Sequence, residues 1–367
     1  MATGEDSAMR PRIAPGTMRV FMERMFTRLG VPTADAATAT DVLMFSDLHG
    51  IDSHGIPRMR MYAQAIRDGR VNLEPHITVV AETAATLTLD GDHGLGLVVG
   101  PEAMRRCIAK ARESGWCTAS VRRSNHYGAA SYYPMLAVAE GMGGMSMTNA
   151  GPLMVPTFGA TPVLGTNPLS IAFPGGNETD PFLLDMATTS VAWGKVEIAR
   201  REGKSIPSGW AVNADGEFVT DPNEAVALAP LGSDRERSSH KGYGLAGSVD
   251  LFSAVLSGGS WSKRINRQRE GTDVKAGTCH AFMAWRIDAF GPVEEYRATM
   301  DDFMTTLMAS PPAPGRDAVL VAGQQEFAAL RDREAHGVPL HRSVLDDVRD
   351  LAAELDVPYD LEVGPGA

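Results

Sequence analysis

The order of two periodic patterns constrains the fold of this chain more than any other feature. Apolar residues recur at helical spacing near the N-terminus, over residues 17–30, 33–47 and 57–69. Alternation typical of strands begins only afterwards, over residues 78–90, and a helical stretch over 101–113 follows it. Helices and strands therefore alternate after a helical start, and this order predicts an α/β fold.

The charge and the composition restrict the partners of the chain. The 367 residues are 44% hydrophobic and carry a formal net charge of −11. Nucleic acid demands a basic face, so no nucleic-acid partner is expected, whereas a few arginines suffice for a small anionic substrate. No stretch approaches the roughly 20 apolar residues that cross a bilayer, so no membrane partner is expected. The three cysteines lack metal or disulfide spacing, which favours a cytoplasmic setting without a metal.

A glycine-rich stretch over residues 94–100 has the spacing of a dinucleotide-binding loop, and Arg122 and Arg123 stand where a reader of a 2′-phosphate would. In that fingerprint the strand runs directly into the first glycine. Here residues 90–93 intervene, and Pro101 is expected to restart the helix after the third glycine. We therefore favour a structural turn with close backbone packing over a Rossmann loop.

The segment around His54 combines three groups that one reaction can use. His54 lies in a turn just ahead of a helix, and an imidazole suits proton transfer near neutral pH. Arg58 lies in the first turn of that helix, where its planar guanidinium favours a carboxylate. Ser53 could orient the imidazole. Each residue alone is typical of a solvated turn, but together they predict a proton-transfer site for a small acid.

Three further polar clusters are candidates, and each has a plain structural alternative. His126 lies in a segment of small residues that could hold a flat ligand or cap a helix. Thr166 stands in a turn before Asn-Pro and could contact substrate through its hydroxyl. His240 and Lys241 could meet a phosphate or lie in a solvated loop.

Many collinear motifs also resemble those of one family. In chain order they are DLHGIDSHG at 47–55, DGD at 90–92, GLG at 94–96, NHYG at 125–128, TN at 148–149, GTNP at 165–168, DMAT at 185–188, WGK at 193–195, PSGW at 207–210 and KGYG at 241–244. This set resembles the type-2 malate/L-lactate dehydrogenase family, which also includes ureidoglycolate, sulfolactate and diketogulonate oxidoreductases and cyclic-imine reductases. The resemblance covers most of residues 17–324.

The resemblance implies an NAD(P)-dependent enzyme with a non-Rossmann α/β fold, in which helices flank a mixed sheet. It also implies a homodimer with its sites near the subunit interface. His54 resembles the family's proton donor, and Ser53 resembles its relay partner. Arg58 resembles the substrate clamp, and Thr166 looks like a second substrate contact. Some members use the histidine matching His126 as the acid/base, so both histidines remain catalytic candidates.

The resemblance also implies a set of cofactor contacts. They are His126, Tyr127, Gly128, Ala129, Ala130, Leu184, Asp185, Met186, His240, Lys241, Gly323 and Gln324. The cofactor is expected to be NAD or NADP, with NADPH slightly preferred.

Departures from the family pattern keep alternatives open. Imine-reducing members carry an aspartate near Lys195, where this chain has lysine. Ala150 stands where many members have a serine or threonine, and Gln324 where they often have glutamate. The predicted function is hydride transfer between a nicotinamide and a small 2-oxo or 2-hydroxy acid. The alternatives are reduction of a cyclic imine carboxylate, and a cofactor-binding or scaffold homologue without catalysis.

The chain is expected to divide into units. Residues 1–14 are expected to form a flexible leader, and residues 15–75 a helical N-terminal domain that the C-terminal segment 316–367 rejoins. Residues 76–315 are expected to form the part or parts that bind cofactor and substrate, ending at a proline-rich run.

Overall fold

The computed structural model describes residues 10–265 and 277–361. The strands are β1 (Arg12–Ile13), β2 (Thr78–Glu82), β3 (Thr86–Asp90), β4 (Trp116–Ser124), β5 (Met142–Thr148), β6 (Leu169–Phe173), β7 (Phe182–Met186), β8 (Ala211–Val212), β9 (Phe218–Val219), β10 (Ala227–Leu228), β11 (Thr278–Arg286) and β12 (Val338–Pro339). The α-helices are α1 (Pro15–Arg28), α2 (Thr33–Leu48), α3 (Met59–Arg67), α4 (Gly96–Ser114), α5 (Tyr132–Val138), α6 (Trp193–Glu202), α7 (Ser239–Asp250), α8 (Val293–Ala309), α9 (Gln324–His336) and α10 (Arg342–Glu354).

A mixed sheet of seven strands organises the described part of the chain. Its order is β2-β3-β4-β11-β5-β6-β7. Strands β3 and β4 are parallel and are joined by helix α4, whereas the other neighbouring pairs are antiparallel. The predicted α/β class with a mixed sheet flanked by helices is therefore confirmed.

The two faces of the sheet build separate apolar cores, because successive side chains of a strand point in opposite directions. On β11, Phe282 and Ala284 join the large core formed with α4 and the N-terminal helices. Met283 and Trp285 join a second core on the opposite face, which Val249 of α7 also enters. None of the described helices is long and apolar enough to pass through a lipid bilayer.

The N-terminal segment corrects one expectation. The flexible leader predicted for residues 1–14 is wrong at β1, whose two residues pair antiparallel with β12. Helix α1 begins at Pro15, ahead of the start predicted at residue 17. Proline is tolerated at the first helical position, because the N–H that it lacks would have no partner within the helix there. The rest of the predicted leader, residues 1–9, and residues 362–367 lie outside the described residues.

Helix α4 corrects a second expectation. It begins at Gly96 and contains Pro101, so the prediction that Pro101 restarts the helix is wrong. The proline removes one backbone hydrogen bond, which costs about 3 kcal/mol in a helix interior. Leu97 and Val99 are fully buried in this stretch, and burial of one such side chain contributes about 1.5–3 kcal/mol. Packing against the sheet therefore outweighs the lost bond.

Candidate active site

Asp47 at the end of α2 holds the turn that carries His54. Its Oδ2 accepts a hydrogen bond of 2.8 Å from the N–H of Ile56. A Cβ at Gly55 would lie 1.9 Å from Oδ1 of Asp47, so only glycine allows the carboxylate to lie this close. Burial raises the pKa of Asp47 to about 7, although the N–H of Ile56 lowers it in part. The turn is thus fixed from inside the fold.

Arg333 of α9 holds the same turn from the C-terminal part of the chain. Its Nη1 donates to the carbonyl oxygen of Asp47 and to Oδ1 of Asp52, both at 2.6 Å. Neither Asp47 nor Arg333 was predicted as a site residue, because they are far apart in sequence and Arg333 lies in an ordinary helical pattern.

The three predicted residues of the turn lie together. Oγ of Ser53 is 2.8 Å from Nδ1 of His54, and Nε of Arg58 donates to the carbonyl oxygen of Ser53 at 2.6 Å. Within the described ranges the terminal guanidinium nitrogens of Arg58 have no acceptor, so the fork can bind a carboxylate. Burial, followed by the charge of Arg58, lowers the pKa of His54 to about 4.

His126 joins this group from the loop after β4. Its ring stacks on that of His54, with centroids 5.7 Å apart and planes 18° apart. The phenol oxygen of Tyr62, on α3, lies 2.7 Å from Nδ1 of His126. Tyr62 was not predicted as a site residue, because it occupies an apolar position of a helical pattern. The one signal for Tyr62 in the sequence is its place eight residues after the histidine of the motif DLHGIDSHG.

The glycine-rich stretch supports the loop of His126. A Cβ at Gly96 would lie 2.2 Å from the carbonyl oxygen of Asn125 and 2.3 Å from that of His126. Arg122 and Arg123, which stood where a phosphate reader would, both pair with the carboxylate of Asp90 at 3.0 Å. The predicted close backbone packing is confirmed at Gly96, but the predicted turn is wrong for residues 96–100, which belong to helix α4.

A buried histidine on strand β11 supports the same loop. His280 of β11 lies between the hydroxyls of Thr148 and Ser124, at 2.8 Å from each. The ring of Tyr127 stacks on that of His280, with centroids 4.6 Å apart. Burial lowers the pKa of His280 to about 3, so this imidazole is neutral at physiological pH.

A second buried network fixes the turn that carries Thr166. The Nδ2 of Asn167 donates to the carboxylate of Asp250 at 3.2 Å, and Nδ2 of Asn149 donates to the same carboxylate at 2.8 Å. The N–H of Ala150 donates to Oδ1 of Asn167 at 3.1 Å. Ala150, which departs from the family pattern, is therefore part of this network through its backbone.

Thr166 does not contact the histidines among the described residues. It precedes β6, whereas His126 follows β4, and two strands separate β4 from β6 in the sheet. At about 4.8 Å per strand spacing, the ends of β4 and β6 are roughly 14 Å apart. The structure therefore places the predicted substrate contacts in two groups at one end of the sheet.

The predicted cofactor residues on β7 point to both faces of the sheet. Oδ2 of Asp185 accepts a hydrogen bond of 2.9 Å from the N–H of Ser131, directly after the loop of His126. Leu184 and Met186 instead pack with the core on the opposite face. Gly323 lies against β7, where a Cβ would be 2.9 Å from that of Leu183. Its neighbour Gln324, the first residue of α9, accepts the N–H of Val321 at 3.2 Å through Oε1.

A cationic group surrounds the N-terminus of α7. His240 and Lys241 are exposed there, and Nη1 of Arg235 donates to Nδ1 of His240 at 2.8 Å. The pKa of His240 is lowered by desolvation and by the charges of Arg235 and Lys241. A helix N-terminus with two exposed cationic side chains suits a phosphate group. Among the described residues, no three His, Cys, Asp or Glu side chains are grouped so that they could hold a metal ion.

Known proteins share this sequence over nearly its whole length. Residues 13–349 match the sequence profile of a family described as malate/L-lactate dehydrogenase. The chain is 41% identical over 350 residues to a malate dehydrogenase of Pyrococcus abyssi, which covers 94% of this chain and 95% of the relative. It is 36% identical over 333 residues to an L-sulfolactate dehydrogenase of Methanocaldococcus jannaschii, which covers 89% of this chain and 92% of the relative.

A solved structure shows the same architecture. The malate dehydrogenase of Pyrococcus horikoshii OT3 superposes with a TM-score of 0.86 at 38% identity, covering 95% of this chain and 97% of the other. The predicted class, a dehydrogenase that works between hydroxy and oxo acids with a nicotinamide cofactor, is thereby confirmed at the level of the family. This chain belongs to the malate/L-lactate dehydrogenase family.

Proposed function

We propose that this chain reduces a small 2-oxo acid with a nicotinamide cofactor, and that His54 gives the proton while Arg58 binds the carboxylate. One observation supports this assignment above all others. Ser53, His54 and Arg58 meet in a single turn, with a free guanidinium fork beside an imidazole that Ser53 contacts at 2.8 Å. An acid that binds through its carboxylate would present its 2-oxo group near that imidazole.

Substrate binding is expected to change the pKa of His54 through the charge of Arg58. In the free protein the charge of Arg58 helps to lower the pKa of His54. A carboxylate on Arg58 neutralises that charge, and the pKa of His54 then rises toward the value at which the imidazole carries a proton. The anionic substrate thus promotes protonation of the residue that gives a proton to its 2-oxo group. In the reverse direction, the neutral imidazole accepts the proton of a 2-hydroxy acid.

The proposed cofactor contacts comprise two regions. Two segments are proposed to receive the nicotinamide part. One is the loop around His126, with Tyr127, Gly128, Ala129 and Ala130, and the other is the strand end with Leu184, Asp185 and Met186. Gly323 and Gln324 lie beside that strand. The cofactor supplies the hydride when bound. His240 and Lys241 are proposed to bind a phosphate, and the charges of Lys241 and Arg235 there support NADPH over NADH.

An apolar groove supports a homodimer as the working form. It has a volume of about 670 Å³ on the sheet face opposite α4, and Met145, Phe173, Trp285 and the exposed Phe290 line it. Apolar surface of this kind is typical of a subunit interface. We further propose a cytoplasmic location, which the three buried, unpaired cysteines support.

We propose that residues 15–75 and the C-terminal segment 316–367 form one helical unit, which carries the turn of His54 and Arg58 next to the part over residues 76–315. Arg60 of α3 donates to the carbonyl oxygen of Asp347 at 2.9 Å and to Glu354 at 2.7 Å, and both acceptors lie on α10. Arg333 adds the contact with the catalytic turn.

The experiment that tests the function is a substrate panel crossed with both reduced cofactors. Oxaloacetate, pyruvate and 3-sulfopyruvate are compared with a cyclic imine carboxylate, and loss of the nicotinamide absorbance is followed. We expect turnover of at least one 2-oxo acid, with NADPH preferred. Turnover of the cyclic imine alone would overturn the assignment. We do not expect it, because Lys195 is exposed on α6 and offers no carboxylate for an imine-reducing relay. Cofactor binding without any turnover would point to a homologue that has lost catalysis.

A further inference from the structure

Nδ1 of His126 receives two hydrogen-bonding groups, and their chemistry fixes its protonation. The backbone N–H of Gly128 points at this nitrogen, with a distance of 3.3 Å between the two nitrogens. A backbone N–H can only donate, so this long contact favours an Nδ1 of His126 that offers a lone pair and carries no proton, but it does not fix the tautomer without Tyr62. The phenol oxygen of Tyr62, at 2.7 Å from the same nitrogen, must then be the donor of its own hydrogen bond.

We propose that Tyr62 and Gly128 fix His126 as the neutral tautomer with its proton on Nε2, so that His126 donates a hydrogen bond to the bound substrate and keeps its proton while His54 alone transfers one. Tyr62 is on this view a positioning residue that acts through His126. The identity of the ligand rests on the proposed function, whereas the tautomer itself is a property of the protein without ligand.

The groups around His126 all oppose a charge on its ring. His54 faces it from the turn after α2, Arg58 from the following turn, and His280 from β11. Burial and these three neighbours, in the order His54, Arg58 and His280, lower the pKa of His126 well below its ordinary value. Tyr62 faces it from α3 as a neutral phenol, because burial raises the pKa of Tyr62.

The backbone conformation at Gly128 allows its N–H to approach Nδ1 of His126. Its φ of +82° belongs to the left-handed region that glycine adopts without strain, and a Cβ there would lie 2.7 Å from Cγ1 of Val42. The ring of Tyr62 is held in turn by Phe26, with centroids 6.3 Å apart. Both donors to Nδ1 of His126 are therefore positioned by packing, before any ligand binds.

The tautomer assigns different tasks to the two histidines. Among the described residues, Nε2 of His126 has no acceptor, so its N–H is available to a carbonyl oxygen. During reduction the carbonyl carbon receives a hydride from the nicotinamide, which is oxidised, and the π electron pair moves to the oxygen. That oxygen takes the proton of His54. The N–H of His126 stabilises the developing negative charge and is not consumed.

Nitrogen NMR of the ¹⁵N-histidine-labelled full chain without ligand tests the tautomer directly. We expect Nδ1 of His126 to give the signal of an unprotonated ring nitrogen and Nε2 that of a protonated one, unchanged between about pH 5 and pH 8. A protonated Nδ1, or a titration of His126 in this range, would overturn the proposal. Since no turnover is involved, this result is independent of whether any 2-oxo acid is a substrate.

The variant Tyr62→Phe removes the hydroxyl and keeps the ring. We expect both tautomers of His126 to appear in its spectrum and kcat/KM to fall roughly tenfold, as for the loss of one hydrogen bond. Tyr359→Phe is the matched control, because Tyr359 packs edge-on against Phe21 and, among the described residues, contacts neither His54 nor His126. An unchanged spectrum in a folded Tyr62→Phe protein would contradict the role of Tyr62.

A pair of substitutions at His126 separates a donor from an acid/base. The amide N–H of glutamine reaches the place of Nε2, whereas that of asparagine reaches only the place of Nδ1. We expect His126→Gln to keep about tenfold more kcat than His126→Asn, with the wild-type pH dependence in both. Loss of the pH dependence in both variants would show that His126 itself transfers the proton and would overturn the proposal.

Discussion

The imidazole rings of His54 and His126 stack with centroids 5.7 Å apart, and the guanidinium of Arg58 lies beside them. Two imidazolium rings at this distance repel each other, so the pair carries at most one positive charge at neutral pH. Burial and the charge of Arg58 lower the pKa of both rings in the free protein. Both imidazoles are thus neutral until an anionic ligand on Arg58 favours protonation of His54.

Replacing His54 by alanine tests its role as the proton donor. We expect kcat for reduction to fall by about 10²–10⁴, because a general acid contributes this much to the rate. Cofactor affinity, measured by nicotinamide fluorescence, is expected to stay near the wild-type value. His76→Ala serves as the control, since that histidine is exposed and, among the described residues, its ring contacts neither His54 nor His126. Wild-type turnover of His54→Ala across the pH range would refute the assignment.

Replacing Arg58 by glutamine removes both the carboxylate fork and a charge near His54. We expect KM for the 2-oxo acid to rise at least about 100-fold, as when a bidentate charged contact is lost. The pKa of His54 in the free protein is expected to rise from about 4 toward its ordinary value, because the charge of Arg58 is the second cause of its lowering after burial. An NMR titration of the histidine ring protons measures this shift. A pKa of His54 that stays fixed in Arg58→Gln would contradict the electrostatic argument.

Asp47 makes stability depend on pH. Its pKa in the folded protein is about 7, raised from an ordinary value of 3.8, so the folded state binds more protons between these values than the unfolded state. The resulting loss of stability appears as the pH rises from about 4 to about 7, and it is on the order of 4 kcal/mol. Asp47→Asn keeps an acceptor for the N–H of Ile56 and cannot ionise.

Unfolding of wild type and Asp47→Asn by urea at about pH 5 and about pH 8 measures this effect. We expect the variant to gain stability relative to wild type as the pH rises. The histidines with lowered pKa values titrate in both proteins, so the difference between the two isolates Asp47. A difference in unfolding free energy that does not change with pH would show that Asp47 is not a buried, proton-binding carboxyl.

Gly96→Ala tests the purpose of the glycine-rich stretch. The new Cβ would lie 2.2 Å from the carbonyl oxygen of Asn125, so the loop of His126 must move. We expect a loss of stability of about 1–3 kcal/mol and a fall in kcat. Gly16→Ala is the matched control, because its Cβ would meet nothing within 4 Å. A normal kcat with weakened cofactor binding would instead support a dinucleotide-binding loop.

The sequence predicted those parts of the fold and site that depend on local pattern or on short motifs. The α/β class follows from the order of helical and strand periodicities, and Ser53, His54 and Arg58 share one turn, so their proximity was readable. The role of Tyr62 could not be predicted, because a buried tyrosine in a helical pattern is typical of a residue of the hydrophobic core. Arg333 reaches the turn from 281 residues away along the chain, measured to Asp52, and only tertiary packing reveals that contact. The start of α4 was predicted wrongly because local proline chemistry yielded to burial.

The most direct test of the account follows the hydride itself. The full chain is given a 2-oxo acid from the panel and NADPH carrying deuterium at the transferred position, and the product is analysed by NMR. The account predicts a 2-hydroxy acid with deuterium on the carbon of the former oxo group, formed far more slowly by His54→Ala at unchanged cofactor affinity. A cyclic imine carboxylate that acquires the deuterium while every 2-oxo acid stays unlabelled, or equal rates for wild type and His54→Ala, would contradict it.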